Sequence, residues 1–84
     1  MIRAYVLINV EPKKEYEVIK KLEKLKHVKE ADIVFGEYDI VAVIEAPDMT
    51  SLSETLKNIR VKTKGVVKTS TMITAESYKQ LLVG

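Results

Sequence analysis

The stretch Val28-Lys29-Glu30-Ala31-Asp32-Ile33-Val34-Phe35-Gly36-Glu37-Tyr38-Asp39-Ile40-Val41-Ala42-Val43-Ile44-Glu45-Ala46 decides the fold. It predicts one strand over residues 28–35 and another over residues 38–46, the latter with Ile40, Ala42 and Ile44 on one face and Val41 and Val43 on the other. Two such runs this close together form a hairpin. The connection Gly36-Glu37-Tyr38-Asp39 reads in two ways. As a turn it needs only the positive φ of glycine and a polar tip. As a binding loop it combines close backbone approach, a flat aromatic wall with a hydroxyl, and a carboxylate that can accept from an ammonium group. Those are the parts that hold a small zwitterion.

Working outward, residues 2–10 alternate as a strand, with Ile2, Ala4, Val6, Ile8 and Val10 on one face and Arg3, Tyr5, Leu7 and Asn9 on the other. Pro12 suits a first helical turn, and Tyr16, Val18, Ile19, Leu22 and Leu25 repeat at helical spacing to about Lys26. Early Glu15 and Glu17 and late Lys24, Lys26 and His27 follow the order the helix dipole favours, which makes His27 a helix-end residue. Downstream of the hairpin, Pro47-Asp48 opens a second helix carrying Met49, Leu52, Leu56 and Ile59. Asp48 is its expected N-cap, with a shifted Ser51/Glu54 capping box as the alternative. Gly65 closes that connection, and a fourth strand covers residues 66–75, with Thr69 and Thr71 on one face and Ser70 on the other. Residues 76–84 add one loose turn.

The order is therefore β-α-β-β-α-β, with Pro12 and Pro47 in matching places of two similar halves. That is an α+β, ferredoxin-like sandwich: a four-stranded antiparallel sheet with both helices on one face. Nothing in this order covers the other face, and Tyr5, Leu7, Val41 and Val43 make it apolar. An exposed patch of that kind calls for a partner, so a sheet-to-sheet homodimer of barrel-like form is expected. RNA is the rival occupant. An RNA-recognition sheet stacks bases on aromatics, which residues 39–45 lack, and Tyr5 and Asn9 are spaced one residue too far for that module.

Composition narrows the function further. At 84 residues and 9.5 kDa, residues 1–84 are expected to be one domain. A net charge of +2 from interleaved charges is not a nucleic-acid footprint, and the lysines 20, 21, 24 and 26 are diluted by Glu17 and Glu23. Lys62, Lys64 and Lys68 form a second small cluster that could meet an acidic partner or an anionic effector group. There is no cysteine, and the lone His27 cannot assemble a metal site by itself. The three glycines are isolated, so no phosphate loop and no cofactor is implied. Neither a carboxylate pair of fixed spacing nor a hydroxyl beside a base supports catalysis, and no enzyme is expected. Without a signal core or an apolar run of about 20 residues, a cytoplasmic protein with no membrane partner is expected. Twenty-one Lys and Glu residues against three Asn and Gln fit a heat-adapted source.

Val6-Leu7-Ile8-Asn9-Val10-Glu11-Pro12, Val28-Lys29-Glu30-Ala31, the Gly36-Glu37-Tyr38-Asp39-Ile40 loop and Gly65-Val66-Val67-Lys68-Thr69-Ser70-Thr71 together resemble the ligand-sensing domain of Lrp/AsnC transcription regulators, over residues 2–74. The resemblance implies a module that binds amino acids or related small effectors where dimers meet, and dimers that associate into octamers or other rings. By position it assigns Gly36, Tyr38 and Asp39 of the loop and Thr69, Ser70 and Thr71 of the last strand to the ligand, while Glu37 falls on a variable position. Full-length members carry a helix-turn-helix before this domain, and the chain starts at the first strand. It is therefore expected to be a stand-alone form without direct DNA binding, able to join full-length regulators in mixed assemblies. The amino-acid-binding ACT fold is the near alternative, but its glycine-bearing turn follows the first strand, where this chain has Glu11-Pro12-Lys13.

Overall fold

A computed structural model describes residues 1–78 and shows β1 (Ile2–Val10), α1 (Glu15–Glu23), β2 (Val28–Ile33), β3 (Ile40–Ala46), α2 (Met49–Arg60) and β4 (Val66–Ile73). The strands form one sheet in the order β2-β3-β1-β4, with every neighbouring pair antiparallel. Each helix thus links two parallel strands across one intervening strand, the split β-α-β pattern that the element order predicts.

Alternation sorts the two central strands into faces. Ala4, Val6 and Ile8 of β1 and Ile40, Ala42, Ile44 and Ala46 of β3 are almost wholly buried, together with Val18 and Leu22 of α1 and Leu52 and Ile59 of α2. Isoleucine and alanine alternate along the inner face of β3, which leaves room between the large side chains for those of the helices. Burying each large aliphatic side chain contributes about 1.5–3 kcal/mol. Asp48 caps α2 as expected, its Oδ1 accepting the Ser51 amide at 2.8 Å, and the Ser51/Glu54 alternative is not used. At the other end of α2 the buried Thr63 hydroxyl donates to the Asn58 carbonyl at 2.9 Å, satisfying an acceptor in the last helical turn.

Several boundaries differ from the sequence reading. Helix α1 starts at Glu15, because residues 11–14 first make a turn: Lys13 adopts φ 67° and the Lys14 amide donates to Glu11 O at 3.0 Å. The helix ends at Glu23, where Leu25 N bonds Leu22 O at 3.0 Å in a tightened turn, so Lys26 and His27 lie in the connection. Gly65, at φ 103°, brings the next loop against α1. A Cβ there would meet Val18 Cγ2 at 3.0 Å, and Gly65 O accepts the Glu11 amide at 2.9 Å. Strand β2 stops at Ile33 and β3 starts at Ile40, which gives the hairpin a six-residue connection instead of a tight tip. Strand β4 ends at Ile73, held by Thr74 N to Arg3 O at 2.9 Å. The turn expected over residues 76–84 lies largely outside the described residues, and residues 76–78 carry no helix.

Candidate functional site

The loop of residues 34–39 is organised around the end of β1. Strand β3 begins at Ile40, opposite Ile8, so beyond that pair the β1 backbone has no ladder partner on this side. Asp39 supplies one twice over. Its amide donates to Ile8 O at 2.9 Å, and its carboxylate Oδ2 accepts the Val10 amide at 2.9 Å. Val34 N donates to Asp39 O at 2.9 Å and closes the loop, while Asn9 Nδ2 donates to Glu37 O at 2.9 Å. Gly36 stands at φ 140° with nothing within 4 Å of a notional Cβ, so the backbone angle, not crowding, calls for glycine. Among the described residues nothing bonds the second Asp39 oxygen, Oδ1, nor the half-buried Tyr38 hydroxyl.

The three hydroxyl residues sit on the other flank of β1. Thr69 pairs with Ile8 and Thr71 with Val6, which places both on the helix side of the sheet. Ser70 pairs with Leu7 and lies on the open side. Loop and hydroxyls are therefore separated by the width of β1, about 10 Å across two strand spacings. The six residues assigned by resemblance are not brought together within one chain. Two concavities lie elsewhere, one a shallow, open depression beside Tyr5 and Met72 at the end of β4. The other is a cleft of about 160 Å³ between α1 and the loop at Gly65, where Lys14 pairs with Glu17 at 3.1 Å.

The open face of the sheet is the larger feature. Its rows run Glu30, Val43, Tyr5, Met72 and then Asp32, Val41, Leu7, Ser70, so a strip of partly exposed aliphatic and aromatic groups crosses the two central strands. One end of the strip is closed by an ionic cluster. Arg3 donates through Nη2 and Nε to Glu45 Oε2 at 2.8 and 3.1 Å, and Lys29 Nζ reaches Glu45 Oε1 at 3.2 Å. The Arg3 hydrogen bond, followed by that of Lys29, holds the Glu45 carboxyl below its ordinary value. The same contact raises Arg3. Sequence reasoning missed this cluster, although alternation already set Arg3 beside Tyr5 and Glu45 beside Val43. What it lacked was the β1–β3 register that puts Arg3 opposite Glu45.

Among the described residues no group of three or more His, Asp or Glu side chains could hold a metal ion, and no helix is long and apolar enough to cross a membrane.

The chain is thus a split β-α-β sandwich of the ferredoxin-like class, with one open sheet face and an Asp-anchored hairpin loop. The Lrp/AsnC ligand binding domain model matches residues 3–82, and the chain belongs to that family. A hypothetical protein of Pyrococcus horikoshii is similar at TM-score 0.83 and 33% identity, over 93% of this chain and 94% of that one. A protein from Thermus thermophilus matches at TM-score 0.88 and 28% identity, over 95% and 100%. A feast or famine regulatory protein from M. tuberculosis, in complex with L-methionine, shares the fold at TM-score 0.79 and 23% identity. The match covers 95% of this chain but 54% of that one, so the chain spans about half of that regulator's length. No curated protein matches.

Proposed function

We propose that the chain is an amino-acid-sensing and oligomerisation module that regulates transcription through full-length relatives. In this reading the effector's ammonium group pairs with the second oxygen of Asp39, Oδ1. Its carboxylate takes amides near Gly36 together with the hydroxyl of Thr69 or Thr71, and Tyr38 walls the side chain. Ser70 serves the sheet face. Because β1 separates loop and hydroxyls within one chain, the hydroxyls that meet a given loop come from a neighbouring copy, and the site exists only in the assembly. Copies pair through the open faces, burying Tyr5, Leu7, Val41 and Val43, and pairs associate into larger rings such as octamers.

One observation carries this reading: a carboxylate held in place by the Val10 amide, with its other oxygen unengaged among the described residues. Support also comes from the family and from the methionine complex of the tuberculosis regulator. Calorimetric titration with the twenty amino acids tests it. Heat from at least one, with matching growth of the assembly in light scattering, is the expected result, and silence at millimolar concentrations would sink it.

A second reading treats the chain as an assembly subunit with no ligand response of its own. The Asp39–Val10 bond favours it, because that bond accounts for the aspartate on structural grounds alone. Co-purification with a full-length regulator, unchanged by any amino acid, would decide for it.

A further inference from the structure

The cleft of about 160 Å³ between α1 and the turn at Gly65 is walled by charge. Lys14, Glu17 and Lys21, spaced three and four residues apart, line it from α1 and its N-cap, while Glu11, Lys64 and Gly65 line it from the facing connections. Gly65 lets the two sides close up, since a Cβ there would lie 3.6 Å from Lys14 Cβ. Each ammonium group carries three N–H donors and no acceptor. Lys14 uses one on Glu17 at 3.1 Å, and Lys21 uses one on the Lys64 carbonyl at 3.3 Å. The Lys64 ammonium has no partner among the described residues, so most of the donors around the cleft are unengaged. Three lysines against two carboxylates also leave an excess of positive charge. Their fields converge on one point: the Glu17 carboxyl is held below its ordinary value first by the Lys14 hydrogen bond and charge, then by Lys21 and Lys64.

We infer that this cleft binds a phosphoryl group, held between the Lys64 and Lys21 ammonium groups with Lys14 as a third donor. Lysine binds phosphate as a point charge and needs no planar pairing, which suits donors that arrive from two sides. A carboxylate offers its oxygens on one side only, whereas a tetrahedral oxyanion accepts from opposing walls at once. With a charge of about −1.5 to −2 the phosphoryl group also outweighs the single charge of Glu17 in the competition for Lys14. The volume equals the liquid share of about five water molecules, at roughly 30 Å³ each, and is below the roughly 300 Å³ at which sites for drug-sized ligands begin. One phosphoryl group fits, and the remainder of any phosphate ester lies outside. This site depends neither on an amino acid at Asp39 nor on the pairing of chains.

Amide NMR titration of the intact chain with inorganic phosphate tests it, at fixed ionic strength and at a pH above the second phosphate pKa of about 6. Saturable shifts at millimolar phosphate, confined to Lys64, Gly65 and the first turns of α1, are the expected result. Lys64→Ala and Lys21→Ala should each weaken binding about five- to tenfold, and Glu17→Gln, which removes the competing carboxylate, should tighten it about threefold. Lys64 and Glu17 are exposed and Lys21 is half-buried, so all three variants should keep the fold. Glycerol phosphate and acetate run alongside. Tighter binding of the ester names a phosphorylated metabolite as the source and equal binding names free phosphate; both uphold the site. Acetate binding as well as phosphate, shifts spread over lysines elsewhere, affinity unchanged in both lysine variants, or no shift at all would overturn it. Each of those results leaves the amino-acid titration of the Asp39 loop to be judged on its own.

Discussion

Asp39 holds the end of β1 through Val10: its Oδ2 accepts the Val10 amide at 2.9 Å, while its own amide donates to the Ile8 carbonyl at the same distance. One residue thus extends a ladder that β3 has already left, and does so with a side chain that the proposed ligand would also use. Both roles can be measured separately. Asp39→Ala strands the Val10 amide and should cost about 1–3 kcal/mol of stability in chemical denaturation. Asp39→Asn keeps an oxygen acceptor for that amide but no charge for an ammonium group. It should fold with near wild-type stability and lose amino-acid binding by about tenfold or more in calorimetry. Equal ligand affinity in wild type and Asp39→Asn would remove the charged contact from the proposal.

The two glycines with positive φ should respond differently to alanine. At Gly65 the added methyl meets Val18 Cγ2 at 3.0 Å as well as an unfavourable φ, so backbone strain and overpacking of α1 add. At Gly36 only the backbone angle opposes it. We expect Gly65→Ala to lower stability by about 2–4 kcal/mol and Gly36→Ala by about 1–2 kcal/mol, read from urea midpoints at constant slope.

Leu7 lies in the middle of the open face and outside the helix-side core. Leu7→Lys should leave the thermal midpoint of the single chain nearly unchanged while weakening self-association at least about thirtyfold, the equivalent of losing roughly 2 kcal/mol of leucine burial. Sedimentation equilibrium reads the second effect and circular dichroism the first. A variant that dimerises as tightly as wild type would place the interface elsewhere.

Acid stability should follow Asp48 and Glu45, two of the three depressed carboxyls, the third being Glu17 beside Lys14. Asp48 is held below its ordinary value first by the Ser51 amide and then by the Ser51 side chain, and Glu45 by Arg3 and Lys29. For a group lowered in the folded state, the stabilisation is fully present above the unfolded pKa and is lost as pH falls through the folded one. The melting temperature should therefore stay level from neutrality to the ordinary carboxylate range and drop below it. Both groups are solvent-screened, so the drop is modest. Asp48→Asn retains a capping oxygen without the titration and should flatten that acid limb. Asp48→Ala should lower the melting temperature by about 5 °C at neutral pH.

The inner face of the sheet was legible from alternation because each buried position of β1 and β3 is aliphatic, whatever its partner. The hairpin tip was less so. Its true width follows from the Val34 amide donating to the Asp39 carbonyl across Gly36, and strand propensity at Val34, Phe35 and Tyr38 gave no sign of it. Helix α1 was overextended at both ends, since Pro12 is compatible with a first turn but the contact of Glu11 with Gly65 makes the chain turn first.

The sequence by itself determined the element order, the two faces of each central strand, the Asp48 cap and the greasy side that the helices leave bare, because all of these depend on neighbours within a few positions. Only the tertiary structure decided that Asp39 serves Val10, that Arg3 and Lys29 share Glu45, and that β1 lies between the loop and Thr69 and Thr71. Those relationships join residues between 16 and 42 positions apart, or depend on which strand lies beside which. Periodicity is blind to them, since strand order and register arise when the whole layer packs.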